Sequence, residues 1–243
     1  MSPPASPLAI ARSGGVTRLR LSRADKANAL DATLVDALLA AVHGAHGDGT
    51  RLLVIEGDGR NFSAGFDFGG YETAGHAALL LRFVRIEQLL QAVYHAPFAT
   101  LALAHGRNFG AGADLFLACG IRVATQDATF RMPGLRFGIQ LGTRRLAQRI
   151  GADNARAMLA DGRTLGGEDA LALGFLHRIA PRDDWDSLVD MEGATAATLA
   201  AAAAARLNAA TVTDTRAADM ADLVASVAEP GLAERIKAFR ESR

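Results

Sequence analysis

The sequence predicts an α/β protein in which parallel strands are covered by helices. Short apolar runs of strand length alternate along the chain with longer segments whose apolar residues recur at helical spacing. Several of these runs end at a glycine turn that opens the next helix. With 243 residues, 50% of them hydrophobic, the chain can bury one large core and carry a small helical appendage, and two full domains are not expected.

The first half of the chain is predicted to begin with an antiparallel hairpin. Residues 8–10 and 16–21 flank the turn Ser13-Gly14-Gly15 at hairpin spacing. Asp31 is a good N-cap for a helix whose apolar residues run to position 42. The elements predicted next are a strand over 51–56, a helix over 77–94, a strand over 98–104, a helix over 112–119 and a strand over 121–124.

The second half is predicted to be mainly helical. Helices are expected over 142–150, 153–159 and 167–173, and only helices follow residue 185. The alanine-rich stretch 194–210 has high helix propensity, although its composition would also suit low-complexity filler. We expect three parts, listed here by residue number: a disordered leader 1–7, a core domain 8–184 and a C-terminal helical region 185–243.

Charge and cysteine content favour a small-molecule enzyme of the cytoplasm. The 26 basic and 26 acidic residues cancel and form no long basic block, so neither nucleic acid nor a membrane is an expected partner. The single cysteine, Cys119, lies in an apolar run and predicts a buried, inert thiol. The first residues show neither a secretory signal nor a membrane span.

Two glycine turns carry most of the functional information. Residues 61–68 read Asn-Phe-Ser-Ala-Gly-Phe-Asp-Phe, and residues 105–114 read His-Gly-Arg-Asn-Phe-Gly-Ala-Gly-Ala-Asp. Each follows a predicted strand and presents backbone N–H groups. Two such turns facing one point would hold the negative oxygen of a thioester enolate, although glycines of this kind can also simply close a strand-to-helix turn. The pair predicts acyl-CoA chemistry.

The ordered motifs resemble the enoyl-CoA hydratase/isomerase (crotonase) superfamily over about residues 8–182. They are Ala27-Asn28-Ala29-Leu30, the two glycine turns, Cys119-Gly120-Ile121-Arg122-Val123-Ala124, Gly162-Arg163-Thr164 and Ala170-Leu171-Ala172-Leu173-Gly174-Phe175. The resemblance implies a crotonase-like spiral of repeated ββα units with a C-terminal helical trimerisation region. It also implies a homotrimer or dimer of trimers, a coenzyme A thioester as substrate, and neither a further cofactor nor a metal.

The resemblance assigns site residues one by one. The backbone N–H groups of Phe66 and Ala111 match the oxyanion hole of the family. The residues expected to receive coenzyme A are Lys26, Ala27, Ala29, Ala64, Phe66, Asp67, Phe68 and Ala111. Lys26 could meet a phosphate as a point charge or stay solvated. Phe66 and Phe68 could line the acyl pocket or belong to the core.

The resemblance also locates the proton-transferring groups. Family hydratases use two carboxylates, at positions that correspond here to Asp114 and Gly134, so the first acid is present and the second is absent. Asp114 could alternatively favour the first turn of its helix through the helix dipole. Arg131, Arg136 and Gln140 lie in the same loop as Gly134 and are further candidates for the pocket. The segment 138–143 is about three residues shorter than in the family, which predicts a reshaped acyl pocket.

The sequence thus favours an acyl-CoA enzyme that performs isomerase-like chemistry with one carboxylate. Moving a double bond needs a single base that carries a proton between two carbons, whereas hydration uses two groups. Decarboxylation and thioester hydrolysis remain alternatives. So does a non-catalytic coenzyme A-binding or assembly protein that kept the fold after losing the acid at position 134.

Overall fold

The computed structural model describes residues 6–242, in which a mostly parallel six-stranded sheet carries helices on both faces. The strands are β1 (Leu8–Ser13), β2 (Val16–Leu21), β3 (Leu52–Gly57), β4 (Ala99–Ala104), β5 (Arg107–Phe109), β6 (Ile121–Ala124), β7 (Thr129–Arg131), β8 (Leu165–Gly166) and β9 (Arg178–Ile179). The large sheet has the order β1-β2-β3-β4-β6-β9, and β5-β7-β8 form a small second sheet. All neighbours in the large sheet are parallel except β1 and β2.

The hairpin and the central strands confirm the sequence prediction. Gly14 and Gly15 join β1 to β2 with positive φ angles, which suits a tight hairpin turn. Every residue of β3 is buried, as the apolar run at 52–55 predicts for a strand covered on both faces. Of the predicted leader 1–7, residues 1–5 lie outside the described part, while the Pro7 carbonyl accepts a hydrogen bond from the Ser22 N–H at 2.8 Å.

The helices also follow the predicted order. They are α1 (Ala32–Gly44), α2 (His76–Tyr94), α3 (Ala111–Ala118), α4 (Thr143–Ile150), α5 (Ala152–Asp161), α6 (Gly167–Ala172), α7 (Trp185–Ala197), α8 (Ala201–Thr211), α9 (Arg216–Ala228) and α10 (Leu232–Glu241). The Asp31 side chain accepts a hydrogen bond from the Leu34 N–H at 2.9 Å, so the predicted N-cap is confirmed. The alanine-rich stretch is helical on either side of a break at 198–200.

Two apolar clusters lie on opposite faces of the large sheet. On one face, Trp185, Leu188 and Val189 of α7 pack on side chains of β3, β4 and β6. On the other face, the main cluster joins the first six helices with α9 and α10. Segments on both sides of residue 185 therefore share these clusters, and the division into domains at that position stays a prediction.

Two smaller observations bear on the expected class of protein. Within residues 6–242, no helix combines the length and the apolar character needed to cross a membrane. Cys119 is buried just after α3, and its thiol donates to the Leu115 carbonyl. Burial raises the pKa of this thiol to about 12, so the expected buried, unreactive thiol is confirmed.

A buried guanidinium joins helices α2, α3 and α4. Arg145 of α4 donates through Nε to Asp114 of α3 at 2.9 Å and through Nη2 to Glu87 of α2 at 3.0 Å. All three residues are at most 1% exposed. Burial opposes the charge of Arg145, but the two carboxylates outweigh burial and raise its pKa. Burial raises the pKa of Glu87, and the nearby Asp114 adds to this rise.

We predict that Arg145→Met destabilises the fold by about 3–5 kcal/mol at neutral pH, because two buried carboxylates lose their cation. The pKa of Glu87 is already raised by burial, so this carboxyl takes up a proton as the pH falls. The deficit should therefore shrink between about pH 7.5 and about pH 5. Urea denaturation at both pH values measures it.

The neighbouring arginine provides the matched control. Arg144 is 38% exposed and pairs with Asp219 at 3.1 Å and Asp222 at 2.6 Å on α9. Arg144→Met should cost less than about 1 kcal/mol, because the Arg144 guanidinium is partly exposed and Asp219 keeps a hydrogen bond from Thr215. Equal losses for the two variants would show that the buried cluster has no special importance for the packing of α2, α3 and α4.

Candidate active site

The two glycine turns of the sequence pack directly against each other. The Phe109 N–H donates to the Ser63 carbonyl at 3.2 Å. Gly65 has a φ of +84°, and a Cβ atom there would overlap the Phe109 carbonyl and lie 3.0 Å from the Ala111 nitrogen. Only glycine combines this backbone conformation with so close an approach. The turns are thereby held at backbone contact.

Two backbone N–H groups at this contact have no acceptor among the described residues. Ala111 is the first residue of α3, so its N–H lies beyond the hydrogen-bond ladder of the helix. The Phe66 N–H, one residue after Gly65, is likewise unpaired within residues 6–242. Both residues line the same cavity. The structure thus brings together the two positions that the family resemblance assigns to an oxyanion hole. Their role stays a prediction.

A third segment fixes the first turn from behind. Asn28 accepts a hydrogen bond from the Arg23 N–H and donates to the carbonyls of Asp58 and Asn61, all within 2.9 Å. Its φ of +53° lies in the left-handed region, which asparagine tolerates better than most residues. The Ser63 hydroxyl donates to the Asn28 carbonyl at 2.8 Å. Sequence reasoning did not assign Asn28 a role, although it lies inside the quoted Ala-Asn-Ala-Leu motif.

The residues expected to receive coenzyme A lie along this contact. The Ala64 N–H donates to the Ala27 carbonyl at 2.9 Å, and the Asp67 N–H donates to the Leu30 carbonyl at 3.3 Å. Ala29 is buried beside them, while Lys26 is exposed on the adjoining turn. The Asp67 carboxylate pairs with Arg23 at 2.9 Å. Burial acts to raise the pKa of Asp67, but the Gly69 N–H and Arg23 outweigh it and lower that pKa.

The cavity beside the two unpaired N–H groups is small and apolar, with a volume of about 50 Å³. Its lining residues are Ala64, Phe66, Phe68, Phe83, Phe109, Gly110, Ala111, Asp114, Met132, Pro133, Gly134, Leu135, Phe137, Ile139, Leu141, Leu159 and Phe239. Phe66 stacks on Phe83 with ring centroids 4.3 Å apart, so Phe66 belongs both to the cavity wall and to the core.

Asp114 is the one titratable side chain in the wall of this cavity, as far as residues 6–242 show. Its two oxygens accept hydrogen bonds from Arg145 at 2.9 and 3.2 Å, which fixes the orientation of the carboxylate. Gly142, with a φ of +67°, lies against the carboxylate so closely that an added Cβ would overlap it. The side-chain partner of Asp114 is thus a guanidinium from α4 rather than the N–H groups of its own helix.

The other loop candidates do not reach the cavity. Gly134 lines it without a side chain, and an added Cβ would lie 2.9 Å from the Ile139 carbonyl. Arg131 donates to the Gly162 carbonyl at 2.8 Å and Arg136 to the Asp161 carbonyl at 2.5 Å. Gln140 donates to Asp222 of α9 at 3.0 Å. The expectation that these three side chains could enter the pocket is wrong, because each one instead fastens the loop to neighbouring backbone or to α9.

Comparisons with known proteins identify the family. The family model described as enoyl-CoA hydratase/isomerase matches residues 11–238. The chain is 33% identical over 177 residues to a probable enoyl-CoA hydratase of Rhodobacter capsulatus, covering 72% of this chain and 68% of that protein. It is also 29% identical over 255 residues to 4-chlorobenzoyl coenzyme A dehalogenase-2 of an Arthrobacter species, covering 96% and 90% of the two chains.

Solved structures agree with this assignment. The crystal structure of an enoyl-CoA hydratase/isomerase candidate from Bordetella parapertussis has a TM-score of 0.96 and 48% sequence identity to this chain. The match covers 97% of this chain and 99% of that one. The predicted α/β crotonase-like fold is therefore confirmed, and this chain belongs to the enoyl-CoA hydratase/isomerase family of enzymes.

Proposed function

We propose that this enzyme isomerises the double bond of an acyl-CoA thioester by way of an enolate, using one carboxylate. The observation that supports the proposal is the set of residues that line the cavity. Phe66 and Ala111, whose backbone N–H groups have no acceptor within residues 6–242, line the same small apolar space as Asp114, the one carboxylate residue of that wall in the described part of the chain. Such a site can stabilise one negative oxygen and move one proton.

The N–H groups supply the electrostatic part of the mechanism. When a proton leaves the α-carbon of a thioester, negative charge develops on the thioester oxygen. The Phe66 and Ala111 N–H groups would donate to that oxygen, and the N-terminus of α3 adds its partial positive charge. Because the wall of the cavity is almost entirely apolar, little water competes with these donors.

Asp114 supplies the proton transfer. In the proposed reaction its carboxylate takes a proton from the α-carbon of a 3-enoyl thioester and returns it at the γ-carbon, which leaves the double bond between α and β. Arg145 holds the Asp114 carboxylate in a fixed orientation and balances its negative charge during the reaction. Adding water would need a second group on the other side of the substrate, and position 134 is a glycine.

Coenzyme A binding is part of the same proposal. The backbone around Ala27, Ala29, Ala64, Asp67 and Phe68 is fixed by hydrogen bonds between the two segments and could meet the adenine and pantetheine parts. Lys26 is exposed next to them, where its ammonium group could reach a phosphate. The homotrimer or dimer of trimers implied by the resemblance also belongs here, and the exposed apolar side chains Met191, Leu199 and Leu207 of the C-terminal region support such an assembly.

A proline at position 111 tests the candidate oxyanion donor of α3. Ala111→Pro deletes the N–H at the first position of α3, where proline suits a helix. We expect turnover to fall by at least about 10²–10³-fold with the protein still folded, because one donor to the developing oxyanion is lost and a ring methylene takes its place. Steady-state kinetics with a 3-enoyl-CoA measures the loss, and circular dichroism checks the fold.

Ala152→Pro is the matched control, because Ala152 is the exposed first residue of α5 and lies outside the cavity wall. It should keep wild-type turnover. Similar losses in both proline variants would remove the Ala111 N–H from the mechanism.

Exchange in heavy water tests the proton transfer assigned to Asp114. Wild-type enzyme incubated with crotonyl-CoA in heavy water should introduce deuterium into the acyl group without adding water across the double bond. Asp114→Asn should slow this exchange by about 10²–10⁴-fold. Glu87→Gln alters the other carboxylate on Arg145 without touching the cavity and should keep the exchange. Mass spectrometry of the thioester follows both.

Other products would contradict isomerase-like chemistry. A hydrated product would show that a second group or a bound water replaces the missing acid at position 134. Release of free coenzyme A would indicate thioester hydrolysis. Tight binding of thioesters with none of these changes on a broad panel of acyl groups would favour the non-catalytic alternative. Exchange that survives in Asp114→Asn would exclude Asp114 as the base.

A further inference from the structure

The last helix of the described chain, α10, closes one side of the cavity. Leu232, Ile236 and Phe239 form its buried face. Arg235 donates to the carbonyls of Phe137 and Gly138 at 3.0 and 3.2 Å. These contacts fasten the helix to the turn 134–137, whose residues form part of the cavity wall.

The same helix is also fastened to the segment that follows Phe66. The Arg240 guanidinium lies 5.8 Å from the ring centre of Phe68 and 5.3 Å from that of Tyr71. It also pairs with Glu72 at 3.5 Å. Helix α10 is therefore attached on both sides of the cavity, and Phe239 lies between the two attachments in sequence.

Two aromatic rings separate the cavity from the outside at this point. Phe137 and Phe239 pack with ring centroids 4.8 Å apart. Both residues line the inner cavity, and both also line an outer groove of about 430 Å³. The other residues of that groove are Arg136, Gly138, Arg235, Ala238 and Ser242. The ring pair is therefore a partition between a small, more enclosed space and a more open one.

The size of the inner space limits what it can hold. The inner space of about 50 Å³ is small beside the outer groove of about 430 Å³. The partition is apolar on its inner side, and Asp114 is the one titratable side chain in the wall within residues 6–242. A short, uncharged acyl group fits this space, whereas a long chain would meet the Phe137–Phe239 pair.

We propose that Phe239 ends the acyl pocket and is the residue that restricts this enzyme to short apolar acyl groups. The inference rests on the proposed function, because it takes the cavity beside Phe66 and Ala111 as the acyl site. Removal of the Phe239 ring joins the cavity to the outer groove and gives a longer chain a way out between α10 and the turn 134–137.

The test measures binding rather than turnover, so it does not depend on which reaction the enzyme performs. Saturated butanoyl-, octanoyl- and decanoyl-CoA are titrated into wild type, Phe239→Ala and the milder Phe239→Leu by calorimetry. Wild type should bind butanoyl-CoA more tightly than decanoyl-CoA. Phe239→Ala should bind decanoyl-CoA at least about tenfold more tightly than wild type does, because its methylenes become buried, and Phe239→Leu should lie in between.

Ile236→Ala is the matched control. Ile236 is fully buried on the same face of α10 but is not among the residues that line the cavity or the groove. The substitution shortens a buried side chain of the same helix and leaves both rings of the partition unchanged, so it should keep the wild-type preference for the short acyl group. Thermal unfolding of all variants checks that α10 stays in place.

Distinct outcomes overturn distinct statements. If Phe239→Ala leaves the ratio of decanoyl- to butanoyl-CoA affinity unchanged, or if Ile236→Ala raises it equally, Phe239 does not end the pocket. The same holds if wild type binds both thioesters equally well. If folded wild type binds none of the three thioesters, the proposed function itself fails. Retained butanoyl-CoA binding together with a changed length preference in Phe239→Ala alone supports both.

Discussion

The approach of Gly65 to the start of α3 is the constraint on which the site depends. A side chain at position 65 would overlap the Phe109 carbonyl, so the two turns can touch only as glycine backbone. That contact puts the N–H groups of Phe66 and Ala111 beside one cavity. It also explains why Asn28 and Ser63, which never reach the cavity, are fully buried and fully hydrogen-bonded behind the first turn. Their hydrogen bonds fix the backbone of the first turn.

Most of the charged groups near the cavity lie behind its wall rather than in it. Three buried ionisable side chains meet at Arg145, yet only Asp114 belongs to the cavity wall. Glu87 lies on the far side of the guanidinium, and burial raises its pKa. Arg145 therefore does two things at once: it ties three helices together and it holds one carboxylate in a fixed direction. Buried ion pairs add little net stability over apolar packing, so their positioning effect is the better reason for this cluster.

Local sequence patterns predicted most of the central strands and helices, whereas the crotonase-like fold and the two candidate oxyanion positions came from the family resemblance. Apolar runs, the Asp31 cap and glycine turns specify strands and helices through neighbouring residues alone, and these elements are confirmed. The partner of Asp114 could not be predicted, because Arg145 lies 31 positions away and meets it only after α3 and α4 pack. The same limit applies to Arg131, Arg136 and Gln140, whose partners come from distant segments. The position of α10 over the cavity could not be predicted either. Its apolar periodicity indicates a buried face but does not identify the surface on which that face packs.

The segment around Gly134, which contains no acidic residue, forms part of the cavity wall. In the family resemblance, the position after Pro133 is where hydratases place a second carboxylate, and here it is Gly134, pressed against the Ile139 carbonyl. Three residues later the same turn presents Phe137, whose ring packs on Phe239 and whose carbonyl accepts a hydrogen bond from Arg235. A Cβ atom at position 134 would lie 2.9 Å from the Ile139 carbonyl, so an acidic side chain would fit there only if the turn moved. The same turn thus leaves little room for a side chain at position 134 and binds α10 over the cavity.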